Sequence, residues 1–443
     1  MELLRGMYFT PRLWLALGVD AICFVLGHFF ELWFTLAQMG LLATAVLLSL
    51  DLFLLHRTRQ GISARRETPE RWSNGDDNTI DLFLQNHYPF PVAARVVDEL
   101  PEQFQMRDFS LDFALSPGEK LATGYTLRPV ARGEYHFGAL NVYVSSRIRL
   151  ASRRYRLAAA AVVPVYPSFL QMRHYELMAI SDRLAEVGIK KVRRLGQTTE
   201  FDRIRTYVAG DDYRTMNWKA TARRAELMVN TYQDERSQQI YSAIDMGRVM
   251  KIPFAGMTLL DYAINAALVI SSIAIRKHDK AGIITFSHQL EALLPADGKH
   301  TQMDRILELL YNQTTLYLES GYEQLYAAIS RHIKQHSLIL LYTNFETLSA
   351  LTRQLPYLRR IASRHLLVII FFQNIELRQL LERPAAATEE IYIKTIAEQL
   401  DFEKRQIVRE LERYGIQPVL TTPQALTVAA INKYLELKAR NLI

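Results

Sequence analysis

The sequence predicts three structural parts in order: two N-terminal transmembrane helices, a small all-β sandwich, and an α/β doubly wound domain. Three observations carry this reading. An almost wholly apolar block occupies residues 13–55. Period-two alternation punctuated by turn residues fills residues 62–166. From residue 238 onward, short apolar strands alternate with helical patterns. The expected boundaries are 1–58 for the hairpin, 59–167 for the sandwich, 168–237 for a helix plus an Arg/Asp-rich linker, and 238–443 for the α/β domain. A chain of 443 residues is long enough for several domains. At 49% hydrophobic and 22% charged residues, it is neither disordered nor fibrous.

Mean hydropathy is near zero, high for a soluble chain, and the reason is local. Within residues 13–55 only Asp20, Glu31 and Asp51 are ionised, and His28 is titratable. A span takes about 20 apolar residues. The block therefore fits two spans with a turn near 28–34, and Trp14 and Trp33 stand where interfacial aromatics belong. A signal peptide would show one shorter apolar core and then small residues. Here the block runs straight into arginines. A buried hairpin of a soluble protein is the other rival. Arg5 and Arg12 precede the block, and Arg57, Arg59, Arg65 and Arg66 follow it, with no acid between Arg57 and Arg66. The positive-inside rule places both flanks in the cytoplasm. Asp20 is expected to pair with His28 or to lie near the headgroups. The single Cys, Cys23, falls in the first span, so neither a disulfide nor thiol chemistry is expected. The net charge of +7 is too small to argue for nucleic acid.

In the β part, strands are expected at 79–85, 92–99, 121–129, 135–144 and 158–165. Turns are signalled by His87-Tyr88-Pro89-Phe90-Pro91, Leu100-Pro101, Ser116-Pro117-Gly118 and Arg132-Gly133. The linker opens with a helix at 171–187 and a basic run, Lys190, Lys191, Arg193 and Arg194. Beyond it Arg203, Arg205, Arg214, Arg223 and Arg224 interleave with Glu200, Asp202, Asp211, Asp212 and Glu226. Guanidinium groups fork onto carboxylates. Such a set locks a loop against a neighbouring domain or binds an acidic partner. Its acids weaken the field that nucleic acid would need.

In the α/β part, strands are expected at 238–245, 281–286, 289–294, 337–343, 365–372 and 416–421. Helices are expected at 258–277, 301–311, 322–334, 346–361, 388–414 and 425–438. The strands are apolar throughout, as in a parallel sheet covered on both faces. Ligands of such sheets sit beyond the carboxyl ends of the strands. Asp245 stands there, in Ile244-Asp245-Met246-Gly247-Arg248-Val249. Magnesium prefers six oxygens, which an Asp-x-Ser-x-Ser loop would help supply. Here the alternate positions are Gly247 and Val249. A second strand end, Tyr342-Thr343-Asn344-Phe345, offers an amide where a carboxylate would be needed. Thr314 or Thr315 adds one hydroxyl. The set Asp245, Thr315 and Asn344 is poor for a divalent cation, so no cofactor is expected. The plainer reading is that Asp245 caps a helix or pairs with a linker cation. No nucleophile elbow, phosphate loop or H-E-x-x-H occurs. His174, His278, His288 and His300 are scattered, and no catalytic residue is assigned.

The run Gly196-x-x-x-Glu200-Phe201-x-x-x-Arg205-x-Tyr207-x-x-Gly210-Asp211-Asp212-x-Arg214-x-x-Asn217-Trp218-x-Ala220-x-Ala222-Arg223 resembles the signature of the DUF58 family. Arg132-Gly133-x-Tyr135-x-Phe137-Gly138, Val165-Tyr166-Pro167 and Tyr434-Leu435-Glu436-Leu437-Lys438 extend the likeness. The resemblance implies a last domain similar to von Willebrand factor A domains. It would carry a cation role onto Asp245, Thr315 and Asn344 only, with departures at Gly247, Val249 and Asn344. It also implies a MoxR-type AAA+ ATPase as partner, alongside other membrane or envelope proteins. The protein is then expected in the bacterial inner membrane, multi-pass, with both termini cytoplasmic. Its expected role is a non-enzymatic adaptor in assembly or maturation of envelope complexes. Glu200, Arg205, Tyr207, Gly210, Asp211, Asp212, Arg214, Asn217, Trp218 and Arg223 form the expected partner-binding or interdomain motif. The competing readings are a metal-dependent binding module of adhesion type and a hydrolase using Asp211 or Asp212.

Overall fold

The computed structural model describes residues 6–158, 160–180, 200–208, 211, 213–233, 237–313, 315, 317–373, 388–440 and 442. The basic run at 190–194, the second half of the helix expected at 171–187, and Gly196, Gly210, Asp212 and Thr314 lie outside these residues. The chain divides into two compact units, Met1–Tyr166 and Pro167–Ile443.

The first unit begins with strand β1 (Met7–Phe9), then helices α1 (Pro11–Gly27) and α2 (Glu31–Arg57). The hairpin faces are apolar and exposed, with Trp14, Leu15, Ile22 and Leu42 among the uncovered side chains. Asp20 Oδ2 accepts from Thr44 Oγ1 at 3.1 Å, and not from His28 as the sequence suggested. Gly40 makes room for that carboxylate, because a Cβ there would stand 2.5 Å from Asp20 Oδ1. The last two turns of α2 enter a β core instead: Leu55 is fully buried, and Leu48 and Leu52 pack beside it.

The β elements are β2 (Ile62–Glu67), β3 (Trp72–Ser73), β4 (Asn78–Asn86), β5 (Val92–Asp98), β6 (Ser110–Leu115), β7 (Lys120–Leu127), β8 (Gly133–Phe137), β9 (Leu140–Ser145), β10 (Ala151–Ala158) and β11 (Ala161–Tyr166). They form sandwich-like sheets ordered β1-β10-β9-β5-β6, β2-β4-β7 and β3-β11-β8. Strand β4 alternates buried and exposed residues as its sequence does, sending Ile80, Leu82 and Leu84 inward. Leu82 and Leu84 join Val92, Val96, Val142 and Val144 of the five-stranded sheet in one cluster, and Ile80 belongs to another. A second cluster gathers around Trp72, with Tyr135 and Phe137. The single strand expected at 135–144 is two strands, β8 and β9, broken at Gly138. A Cβ at Gly138 would collide with Glu99, whose carboxylate accepts from Ala139 N–H at 2.8 Å. Strand β1 was not anticipated, since three residues carry no periodicity. It pairs antiparallel with β10, Met7 opposite Arg153 and Phe9 opposite Ala151.

The foot of α2 is fastened to this unit by polar contacts. Asp51 is fully buried. Its Oδ1 accepts from Ser146 Oγ, and its Oδ2 accepts from the N–H groups of Leu150 and Ala151, both at 2.9 Å. The last carbonyls of a helix lack partners within it. Here Arg153 donates to Leu55 O at 2.8 Å and Thr58 O at 2.9 Å, and Tyr88 OH donates to Leu55 O at 2.9 Å.

The second unit contains α3 (Phe169–Ile180), a two-stranded ribbon of β12 (Glu200–Thr206) and β13 (Met228–Gln233) enclosing α4 (Trp218–Arg224), and a six-stranded sheet. Its further elements are β14 (Gln239–Asp245), the short pair β15 (Pro253–Phe254) and β16 (Met257–Thr258), α5 (Leu259–Arg276), β17 (Lys280–Phe286), β18 (Leu290–Asp297), α6 (Thr301–Tyr311), α7 (Tyr322–His332), β19 (Leu338–Tyr342), α8 (Leu348–Ala362), β20 (Leu366–Phe372), α9 (Thr388–Arg413), β21 (Gln417–Thr421) and α10 (Leu426–Ala439). The sheet order is β18-β17-β14-β19-β20-β21. Five strands are parallel, but the edge strand β18 runs antiparallel to β17, against the all-parallel expectation. The connection between them, Ser287-His288-Gln289, is too short for the crossover that parallel strands require. Period-two alternation divides each strand between two cores: Ile240 and Ile244 face one, Tyr241 and Ala243 the other.

Among the described residues, two helices are long and apolar enough to cross a membrane, α2 and α5. Over its apolar window α5 is 83% buried and α2 only 11%. Helix α5 is thus the core helix of the sheet. The Tyr434–Lys438 motif has a packing role on α10. Tyr434 OH and Lys438 Nζ donate to the buried Asp279 Oδ2 at 2.6 and 2.8 Å.

Candidate functional site

The carboxyl end of β14 lies at the centre of the sheet. There the Asp245 carboxylate is fully buried and accepts four hydrogen bonds from neutral donors. Gly247 N–H and Ser320 Oγ reach Oδ1 at 2.8 and 2.6 Å. Thr343 Oγ1 and Tyr322 OH reach Oδ2 at 2.7 and 3.3 Å. Burial pushes its carboxyl above the usual carboxylate range, and the hydroxyl donors oppose that shift. The Tyr322 hydroxyl is pushed far up by burial and by the Asp245 charge.

Thr315 and Asn344 do not join Asp245 as the sequence suggested. Thr315 Oγ1 donates to Met246 O at 2.6 Å. Asn344 Oδ1 accepts from Lys404 Nζ at 2.8 Å. Lys404 is held down to about 8 by desolvation. Val249 turns into one core. Gly247 has a local reason: a Cβ there would run into Ser320 Oγ. The hydroxyl that an Asp-x-Ser-x-Ser loop would carry at 247 is thus replaced by one from residue 320. The result is one carboxylate ringed by hydroxyls, with no second anionic ligand among the described residues. Among the described residues no group of three or more His, Cys, Asp or Glu is placed to hold a metal ion. This donor set does not fit a tightly bound divalent cation, which takes six to eight oxygens or an octahedron with carboxylate charge.

Above this cluster is a cleft of about 570 Å³, lined by Arg248, Glu319, Ser320, Tyr322, Asn344 and Arg353 among others. Glu319 bridges the two arginines, at 3.9 Å from Arg248 and 3.6 Å from Arg353. Sequence reasoning missed Ser320, Tyr322, Thr343 and Lys404. Thr343 precedes a residue that was singled out. The other three lie on loops and helices whose approach to β14 only the packing reveals.

The signature segment folds around its own polar residues. Arg205 Nη2 donates to Asp211 Oδ1 at 2.6 Å, and Val208 N–H donates to Oδ2 at 2.9 Å. The Arg205 hydrogen bond holds the Asp211 carboxyl below the usual range. Asn217 caps α4 by accepting from Ala220 N–H at 2.9 Å, and its amide donates to Asn230 Oδ1 at 2.8 Å. Tyr207 N–H donates to Leu227 O at 2.7 Å. Glu200 lies in β12, and its side chain is outside the description. Three side chains of the segment are largely exposed to solvent. Tyr213 is 70% exposed, Trp218 68% and Val208 61%. Arg214 lies over the Tyr213 ring, and Lys219, Arg223 and Arg224 are exposed beside Trp218 on α4.

Residues 203–401 match a family model described as a protein of unknown function, DUF58. A stretch of 202 residues is 26% identical to the uncharacterized protein YeaD of Bacillus subtilis (strain 168), covering 44% of this chain and 50% of that protein. The chain thus spans about half the length of the curated relative it matches. Among solved structures, the conserved hypothetical protein BatB from Bacteroides thetaiotaomicron covers 46% of this chain and 100% of its own, at 11% identity and a TM-score of 0.31. The CARDB domain of PF1109 from Pyrococcus furiosus covers 24% of this chain and 94% of its own, at 13% identity and a TM-score of 0.17.

Proposed function

We propose that this protein is a membrane-anchored, non-enzymatic adaptor. It holds a von Willebrand factor A-like domain in the cytoplasm and works with a MoxR-type AAA+ ATPase in assembly or maturation of envelope complexes. The anchor is the α1–α2 hairpin in the bacterial inner membrane, whose apolar faces are uncovered. The pairing of β1 with β10 supports a hairpin that enters and leaves on one side. The basic flanks support a cytoplasmic side. A six-stranded sheet with one antiparallel edge and helices on both faces supports the A-like reading.

The observation that carries the adaptor role is the exposed face of the signature segment. Asp211 and Asn217 are consumed internally, while Tyr213, Trp218, Lys219, Arg223 and Arg224 are exposed. Trp, Tyr and Arg dominate binding hot spots, and large exposed aromatics mark interaction surfaces. The test is recovery of an AAA+ ATPase from detergent extracts by the tagged protein. Wild type should retain it, and Tyr213→Ala/Trp218→Ala should lose it. Absence of any ATPase, with a known membrane pair recovered in parallel, overturns the role. The domain acts without a divalent cation in this reading. Magnesium or manganese titration should leave Tm unchanged and release no heat.

A further inference from the structure

We propose that the sandwich unit carries a binding site for the phosphate headgroup of an anionic phospholipid, at the foot of α1. The proposal rests on the membrane-hairpin reading. A cleft of about 950 Å³ lies over the five-stranded sheet, and its lining includes Tyr8, Arg12, Arg95, Tyr143 and Arg149. Arg12 and Arg149 are exposed, and among the described residues neither side chain has a hydrogen-bond or ion-pair partner. Arg95 is forked onto Asp112 at 2.8 and 3.2 Å, so the cleft keeps an excess of two positive charges. Guanidinium groups match phosphate oxygens in a planar fork.

Three further observations point to the same ligand. Thr10 precedes α1 but does not cap it. Its hydroxyl donates to Arg149 O at 2.5 Å, leaving the first turn of a 17-residue helix without a side-chain cap beside the cleft. Pro11 has no N–H and Leu13 N–H donates to Thr10 O, so what the helix start adds to the cleft is the positive end of its dipole, which favours an anion. Arg149 itself stands at φ 59°, in the left-handed region that side chains rarely adopt. Its turn is held from both sides, by Thr10 and by the Asp51 contacts to Ser146 and Leu150. The backbone that carries the exposed guanidinium is therefore held at the rim of the cleft. Finally, Thr10, Pro11 and Arg12 belong both to the cleft lining and to the entry into the first apolar helix. In a bilayer this is the level of the headgroups. Phe9 at 51% and Trp14 at 64% exposure suit that level and leave acyl chains a path along α1.

The test uses the full chain in nanodiscs of phosphatidylcholine doped with phosphatidylglycerol. Spin-labelled phosphatidylglycerol reports the bound fraction. Wild type should prefer the anionic lipid, and Arg12→Gln/Arg149→Gln should lose that preference, by roughly fivefold for each arginine. Arg107→Gln, on another exposed loop, should behave as wild type. Arg12→Lys/Arg149→Lys keeps the charge and should recover most of the preference. Equal retention of both lipids by wild type, or an unchanged preference in the double glutamine variant, overturns the proposal. Displacement of the labelled lipid by millimolar inorganic phosphate as readily as by unlabelled lipid would mark a soluble-phosphate site and also overturn it. A protein that enters the nanodisc but shows no preference leaves the hairpin reading standing. One that enters no bilayer removes both.

Discussion

Asp51 and Asp245 are both shut away from water, and both are saturated with hydrogen bonds. Their donors differ in kind. Asp51 takes two backbone N–H groups and one serine, from the turn between β9 and β10 and the first residue of β10. Those N–H groups are fixed in direction by the backbone. Asp245 takes one N–H and three hydroxyls, drawn from a loop, a helix start and a strand end. Hydroxyls rotate, and Ser320 borders an open cleft. The first carboxylate is a fastening between a helix and a sheet. The second is a hub whose spokes can be redirected. Full satisfaction alone therefore does not distinguish a site from a joint; the freedom of the donors does.

The largest effect that sharpens this contrast is expected from Asp51→Leu. It strands buried donors, which cost about 1–3 kcal/mol each when unpaired. Denaturant unfolding in micelles should show a loss of about 3 kcal/mol or more. A loss below about 1 kcal/mol would show that the joint is not structural. Asp245→Ala should cost less, about 1–2 kcal/mol, because Ser320 can turn to water and Thr343 to Tyr322. Equal losses at the two positions would erase the distinction.

Proton linkage gives a finer separation. The folded carboxyl of Asp245 lies above its unfolded value, so within that window the native state binds more protons. Stability therefore falls as pH rises through the window, and Asp245→Asn should remove that slope. Lys404 gives the opposite slope. Its folded value is about 8 against an unfolded value of 10.5, so between those values the unfolded state binds more protons. Stability should rise from pH 8 to 10.5 in the wild type and stay flat in Lys404→Met. The smallest effect is expected from Trp218→Ala, within about 0.5 kcal/mol in stability, with loss of ATPase recovery as its only consequence.

The α/β elements were legible because each satisfies one dominant rule. The helix at 301–311 is observed with those bounds, and the strand at 238–245 begins one residue later, at Gln239. Long periodic segments fix their own ends. Strand β18 was legible as a strand, but its direction depended on the three-residue connection before it. The ring around Asp245 was half visible. Asp245 itself could be placed from its position after an apolar strand. Ser320 and Tyr322 could not, since their value arises only when the loop after α6 folds back over β14. The glycine at 247 read as a missing ligand, whereas the packing makes it the space that another residue's hydroxyl fills. In the signature segment, Arg205 and Asp211 were legible as members of an interleaved basic and acidic set, but nothing in their spacing picked out that pair or separated internal struts from the exposed Tyr213 and Trp218.

The antiparallel pairing of β1 with β10 also orders events during synthesis. Residues 7–9 leave the ribosome before either helix of the hairpin, yet their partners, Ala151–Arg153, are made only after most of the sandwich. The strand made first is thus among the last to be seated, and until then it must wait, unpaired, on the side where the sandwich forms. A pairing so distant in sequence forms slowly. In the membrane reading proposed above, a hairpin inserted the wrong way round would carry β1 out of reach and leave the edge of the five-stranded sheet bare.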